Sequence, residues 1–152
     1  MAGFKELIAD LSDRLGADLF PDLNNVVTLI VEKRVKFNIE ADSVGEFMIL
    51  GATISELPPG KFRENILKDA LKANSRINVN PGVLSYLGRE NTLILHTKLF
   101  IQGTSVDEII KEMKHLTSRA KKWMDAIDEG RASPDEEIPK KVGLSGKGMF
   151  GF

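Results

Sequence analysis

Residues Val26–Pro59 read VVTLIVEKRVKFNIEADSVGEFMILGATISELPP, and the spacing of their apolar positions decides the fold. Three short apolar runs, Val26–Val31, Val35–Ala41 and Phe47–Ile54, are separated only by Glu32-Lys33-Arg34 and Asp42-Ser43-Val44-Gly45. Breaks this short leave no room for a helical crossover, so the runs are expected to pair as antiparallel neighbours. The middle run alternates, with Val35, Phe37, Ile39 and Ala41 on one face and Lys36, Asn38 and Glu40 on the other. The outer runs carry apolar residues on both faces: Val27, Leu29 and Val31 against Val26, Thr28 and Ile30, then Phe47 and Ile49 against Met48, Leu50 and Ile54. A small sheet rarely has its own helices on both sides, so the second apolar face calls for cover by another subunit or a bound polypeptide.

Helical periodicity flanks this unit. Phe4, Leu7, Ile8, Leu11 and Leu15 define a stripe within Ala2–Ala17, with Gly16 as its C-terminal cap and Pro21 barring continuation. Leu19 and Phe20 lie in the connection to the first strand, where short apolar connectors usually plug a helix–sheet seam. Beyond the Pro58-Pro59-Gly60 turn, Phe62, Ile66, Leu67, Ala70 and Leu71 mark a second helix over Lys61–Asn74. A turn at Asn80-Pro81-Gly82 then precedes a hairpin of Val83–Leu87 and Thr92–Phe100. Ser105 and Glu108 form a capping box, which opens a long helix with apolar positions from Val106 to Ile127 that closes at Gly130. Residues 131–152 hold four of the thirteen glycines and two of the six prolines, without periodicity. They read as a flexible C-terminal tail, the alternative being a docking segment ending in Met149-Phe150-Gly151-Phe152. Removing that tail after Gly130 is expected to leave the melting temperature nearly unchanged. The chain is thus one α+β domain over 1–130 plus the tail 131–152, with a helix, three strands, a helix, two strands and a helix in order.

Composition narrows the function. Twenty-one basic residues balance twenty-two acidic ones for a net charge of −1, so no field collects nucleic-acid phosphates. There is no cysteine, which excludes disulfides and thiolate metal sites. No apolar run approaches the ~20 residues a spanning helix needs. Acids interrupt the apolar residues of the first helix, unlike a signal-peptide core. A cytoplasmic location is expected. His96 and His115 have no second ligand at metal spacing. Ser105 is a cap, and Gly60-Lys61 and Gly146-Lys147 lack the rest of a phosphate-binding loop. No catalytic constellation or cofactor site emerges, and a non-enzymatic binding protein is expected.

The ordered set resembles the class I type III secretion chaperones, the Tir-chaperone (CesT-like) family of Gram-negative bacteria. The resemblance rests on the leucine-rich first helix ending in Leu15-Gly16, Pro21, the three-strand unit closing in Ile54-Ser55-Glu56-Leu57-Pro58, the Thr92-Leu93-Ile94-Leu95 strand and Trp123. Arg63–Asn74, RENILKDALKAN, is similar to the family's R-x-x-L-L-x-x-L-L-x-A-N helix. The chain departs from the pattern in its neutral charge, in Asn24-Asn25 standing where Asp-x-x-Gly is common, and in its long tail. The resemblance implies a cytoplasmic homodimer that holds the N-terminal segment of a secreted effector in extended form without hydrolysing ATP, with the export apparatus as a further partner. By analogy the client groove is placed between the first helix and first three strands, at Leu15, Leu19, Phe20, Val26, Thr28, Ile30 and Phe37. The dimer contact is placed at Phe62, Ile66, Leu67, Leu71, Val83 and Ser85. The alternatives are a small dimeric peptide-binding adaptor outside secretion and an enzyme whose site is too dispersed to read from sequence; neither nucleic acid nor membrane is an expected partner.

Overall fold

In the computed structural model, which describes residues 3–76 and 82–138, the elements are α1 (Phe4–Leu15), β1 (Val26–Val31), β2 (Val35–Ala41), β3 (Phe47–Glu56), α2 (Lys61–Asn74), β4 (Val83–Leu87), β5 (Thr92–Phe100) and α3 (Val106–Asp128). Asn80 and Pro81 of the expected turn, and the tail residues from 139 onward, lie outside the described residues. All strand pairings are antiparallel, in the order β1-β2-β3-β5-β4, so β1 and β4 are the two edges.

Local chemistry explains the boundaries. Gly16 takes the left-handed conformation (φ 65°) that closes α1. The Ser105–Glu108 capping box forms as expected, and Gly130 (φ 80°) follows α3. Asp22 accepts from the N–H groups of Asn24 and Val26, while Asn25 sits at φ 59°. Asn25 therefore does the work of the glycine that the Asp-x-x-Gly pattern would supply, since Asn tolerates this region better than most residues. β3 runs two residues past the apolar run, to Glu56, with a register shift between Thr53 and Ser55 that absorbs the extra length.

Burial alternates along the sheet even where the sequence does not. Val27, Phe37, Ile39, Met48, Leu50, Ala52, Leu93 and Leu95 are fully buried on the face that receives the helices, with α3 crossing β2, β3 and β5 and α2 lying on β4. α1 packs on α3 and contributes Phe4, Leu7, Ile8 and Leu11 to the same core. Among the described residues nothing covers the opposite face. Ile30 and Phe100 are 60% and 58% exposed there, and the Phe100 ring packs against Phe47 at 4.7 Å between centroids, tilted by 37°.

The segment after α3 departs from the expected tail. Pro134 and Glu137 are buried, and Ala132 and Ile138 pack on the core. Glu137 meets Arg119 and the Trp123 indole of α3 (2.8–3.0 Å), so residues 131–138 belong to the folded unit. Burial of a carboxylate against a guanidinium leaves no periodic apolar signature, which is why sequence pattern places the boundary at 130.

Candidate functional site

A cavity of about 1050 Å³ opens between the end of α1, the outer side of β1 and the exposed flank of α3. Leu15 and Leu19 come from α1 and its connection, Thr28–Glu32 from β1 and its turn, and Ile110, Met113 and Thr117 from α3. Its rim is held by ion pairs that tie the β1–β2 turn to α3, Glu32 to Lys121 at 3.0 Å and Arg34 to Asp125 and Asp128. Arg14 pairs with Asp107 between α1 and α3. Exposed pairs of this kind contribute about 0–1 kcal/mol each, so they shape the groove more than they stabilise the fold. With most rim charges internally matched, the apolar floor provides the attraction for a ligand.

The edge of β1 completes the groove. Ala41 donates to the Asn25 carbonyl, and with the register Val27↔Ile39 and Leu29↔Phe37 this makes residues 27, 29 and 31 the ones bonded to β2. The backbone groups of Val26, Thr28 and Ile30 consequently point away from the sheet. Those of Val26 are satisfied by Asp22, whose N–H donates to the Val26 carbonyl at 2.9 Å and whose carboxylate accepts from the Val26 N–H at 3.0 Å. Among the described residues nothing pairs the two N–H and two C=O groups of Thr28 and Ile30 that face the groove. The other edge is closed differently: the Asn74 side chain donates to the Leu84 carbonyl (2.9 Å) and accepts from its N–H (2.8 Å), imitating a strand at the centre of β4.

The groove candidates read from the sequence therefore divide. Leu15, Leu19, Thr28 and Ile30 do line the cavity. Phe37 does not: it is 0% exposed and belongs to the helix-facing core with Val35 and Ile39. Val26 sits beyond the cavity beside its Asp22 cap, and Phe20, 76% exposed, projects from the connection outside it. The α3 wall was missed. Its only sequence signal is that Ile110 and Met113 widen the helix's apolar stripe beyond what a single sheet contact requires.

A second hollow, about 210 Å³, lies between α2 and β4 and is lined by Leu67, Ala70, Leu71, Leu84, Ser85, Tyr86 and Leu93. Of the residues expected at a subunit contact, Leu67, Leu71 and Ser85 line it, and Leu71 is 71% exposed. Phe62 is half-buried against the core, and Val83 lies half-buried on the uncovered sheet face. Ile66 is a correction: at 0% exposure it points into the chain's own core. Ser85 also bonds His96 at 2.8 Å, and burial holds the His96 imidazole below its ordinary value. Among the described residues no group of three or more His, Cys, Asp or Glu is placed to hold a metal ion, and no helix is long and apolar enough to cross a membrane.

The profile of the Tir chaperone protein (CesT) family matches residues 6–124. No curated protein matches the sequence. Among solved structures, the ExsC–ExsE complex is similar at 15% identity with a TM-score of 0.68, over 80% of this chain and 90% of the other. The HopA1–SchA chaperone–effector complex is similar at 21% identity and a TM-score of 0.65, over 81% and 94%. YbjN, a putative transcription regulator from E. coli, is similar at 16% identity and 0.58, over 84% and 93%. At these identities the likeness establishes a shared fold.

Proposed function

The chain belongs to the Tir chaperone protein (CesT) family, a family of type III secretion chaperones, and from that premise we propose that it binds the N-terminal segment of one or more secreted effectors in extended form before export. The supporting observation is the open edge of β1 beside the large cavity. Of the two sheet edges, β4 is occupied at Leu84 by Asn74 and β1 is capped at Val26 by Asp22, so among the described residues unpaired strand groups remain at Thr28 and Ile30. An extended client pairs its backbone with those four groups and sends alternate side chains onto Leu15, Leu19, Ile110 and Met113. Ordering a non-globular segment is costly in entropy, and apolar contact along the groove and across the exposed sheet face offsets it. No step of this requires catalysis.

The working unit in this proposal is a cytoplasmic homodimer joined at α2 and β4, with Leu67 and Leu71 packing over the hollow of the second subunit. Because Asn74 already occupies the edge, the contact is through side chains and not a continuous sheet. Light scattering at micromolar concentration should give twice the 16.8 kDa chain mass. The fold is also that of YbjN, so a dimeric peptide-binding adaptor outside secretion is the second reading. Affinity capture from the producing cell with mass spectrometry identifies the partner. Titrating its N-terminal segment and its remainder separately then tests the proposal. Binding by the N-terminal segment alone supports it, and binding only by the folded remainder refutes it.

A further inference from the structure

Glu137 is 3% exposed and Arg119 6%, a burial that two charged side chains tolerate only when their bonding capacity is used. The Glu137 carboxylate accepts from Arg119 Nε at 2.8 and 3.0 Å, from Arg119 Nη2 at 2.8 Å and from Trp123 Nε1 at 2.9 Å. The backbone brings it there by a turn in which Glu137 N–H donates to the Pro134 carbonyl, after Ser133 has bonded Asp69 on α2 at 2.6 Å. Arg119 then reaches further. Its Nη1 donates to the carbonyl of Gly82 at 3.0 Å, the residue that leads into β4. Gly82 has φ 93°, and a Cβ there would stand 2.8 Å from Leu116 Cδ2, so this backbone rests directly on α3.

We infer that residues 131–138 are a strap that positions the β4 edge strand, with Glu137 acting through Arg119 as the positioning residue. β4 is five residues long, pairs among the described residues with β5 alone, and touches α2 on its helix-facing side. Its place is fixed at one point by Asn74 on Leu84 and at another by Arg119 on Gly82. The second fixing point is set by the strap, because the carboxylate of Glu137 holds the guanidinium plane in the orientation that aims Nη1 at Gly82. The segment that follows the last helix thereby controls the geometry of Leu84, Ser85 and Tyr86. On the proposed reading these residues carry the subunit contact, and dimer affinity then depends on the strap.

The test is made on the full chain with Glu137→Gln, which keeps the shape and removes the charge. Amide hydrogen exchange is followed across residues 82–87, and a sedimentation dilution series gives the monomer–dimer constant. Trp123→Phe is the control for a merely structural role, since it deletes one bond to Glu137 without touching the Arg119–Gly82 link. The expected result for Glu137→Gln is exchange in 82–87 accelerated at least tenfold more than exchange in β1–β3, and at least tenfold weaker dimerisation. Trp123→Phe should lower the melting temperature and leave exchange in 82–87 as it is. Wild-type exchange at 82–87 in a folded Glu137→Gln protein, or equal acceleration there by Trp123→Phe, overturns the inference. Faster exchange with an unaltered dimer constant upholds the strap and instead refutes the placement of the subunit contact at β4.

Discussion

Replacing Glu137 by alanine tests how much the segment after α3 contributes to stability. The substitution strips four hydrogen bonds of 2.8–3.0 Å from a site where the surviving partners, the Arg119 guanidinium and the Trp123 indole N–H, remain buried. Breaking a buried ion pair from one side costs about 3–5 kcal/mol, because the remaining charge keeps its desolvation penalty. For a domain of this size each kcal/mol lowers the melting point by roughly 2–4 °C. The expected drop is therefore ~6–20 °C, a large share of the ~5–15 kcal/mol that holds a typical domain together. Deleting everything after Gly130 should cost at least as much, since Pro134 and Ile138 are lost too. Removing both charges, with Arg119→Met and Glu137→Leu together, should recover much of the loss, leaving chiefly the unpaired indole and Gly82 carbonyl. The assay is thermal unfolding by circular dichroism at one protein concentration. A Glu137→Ala midpoint within ~2 °C of wild type would refute the reasoning.

Other consequences follow from single residues. Gly82→Ala must place a methyl 2.8 Å from Leu116 at φ 93°, so a loss of ~2–4 kcal/mol is expected in denaturant titration; a loss below ~1 kcal/mol contradicts the close seating. Asn74→Ala exposes the backbone of Leu84 on an edge strand, and light scattering should show concentration-dependent association beyond that of wild type, whereas unaltered scattering shows the edge is protected by other means. His96 is held below 6.5 by burial, so the unfolded chain takes up its proton first as the pH falls. Stability is then fully present above pH 6.5 and declines below it, down to the folded-state value. His96→Gln should flatten that part of the melting-point profile, and an unchanged slope removes His96 as its source.

Much of the architecture was legible because short-range chemistry dictates it. The alternation from Val35 to Ala41, the two brief polar breaks and the Ser105–Glu108 box each permit one local structure, and the boundaries of β1 and β2 and the start of α3 follow from them. The site was legible in part. Leu15, Leu19, Thr28 and Ile30, placed in the groove by analogy with the family pattern, do line the cavity. Phe37 was misplaced although it shares its face with Val35 and Ile39, the least ambiguous core face in the chain. Where residues far apart in sequence meet, pattern falls silent. Nothing around Glu137 announces its burial; the available hint was on the other side, where Arg119 falls among Leu116, Ala120 and Trp123 and so requires a buried acceptor. The Asn74–Leu84 bond likewise depends on a strand ten residues away.

The claim that the β1 edge and its cavity receive the client is tested most directly by calorimetric titration of the captured partner's N-terminal segment into wild type and Ile30→Asp. Ile30 is 60% exposed, so aspartate there should leave the fold intact, unlike Phe37→Ala, which opens a cavity at a fully buried site and should cost ~3–5 kcal/mol. In the complex the carboxylate would be desolvated against an apolar client side chain with no partner to offset it. The prediction is a folded Ile30→Asp protein by circular dichroism whose affinity is weakened at least tenfold, about 1.4 kcal/mol. A folded Ile30→Asp protein that binds the segment as tightly as wild type would contradict the assignment of the groove.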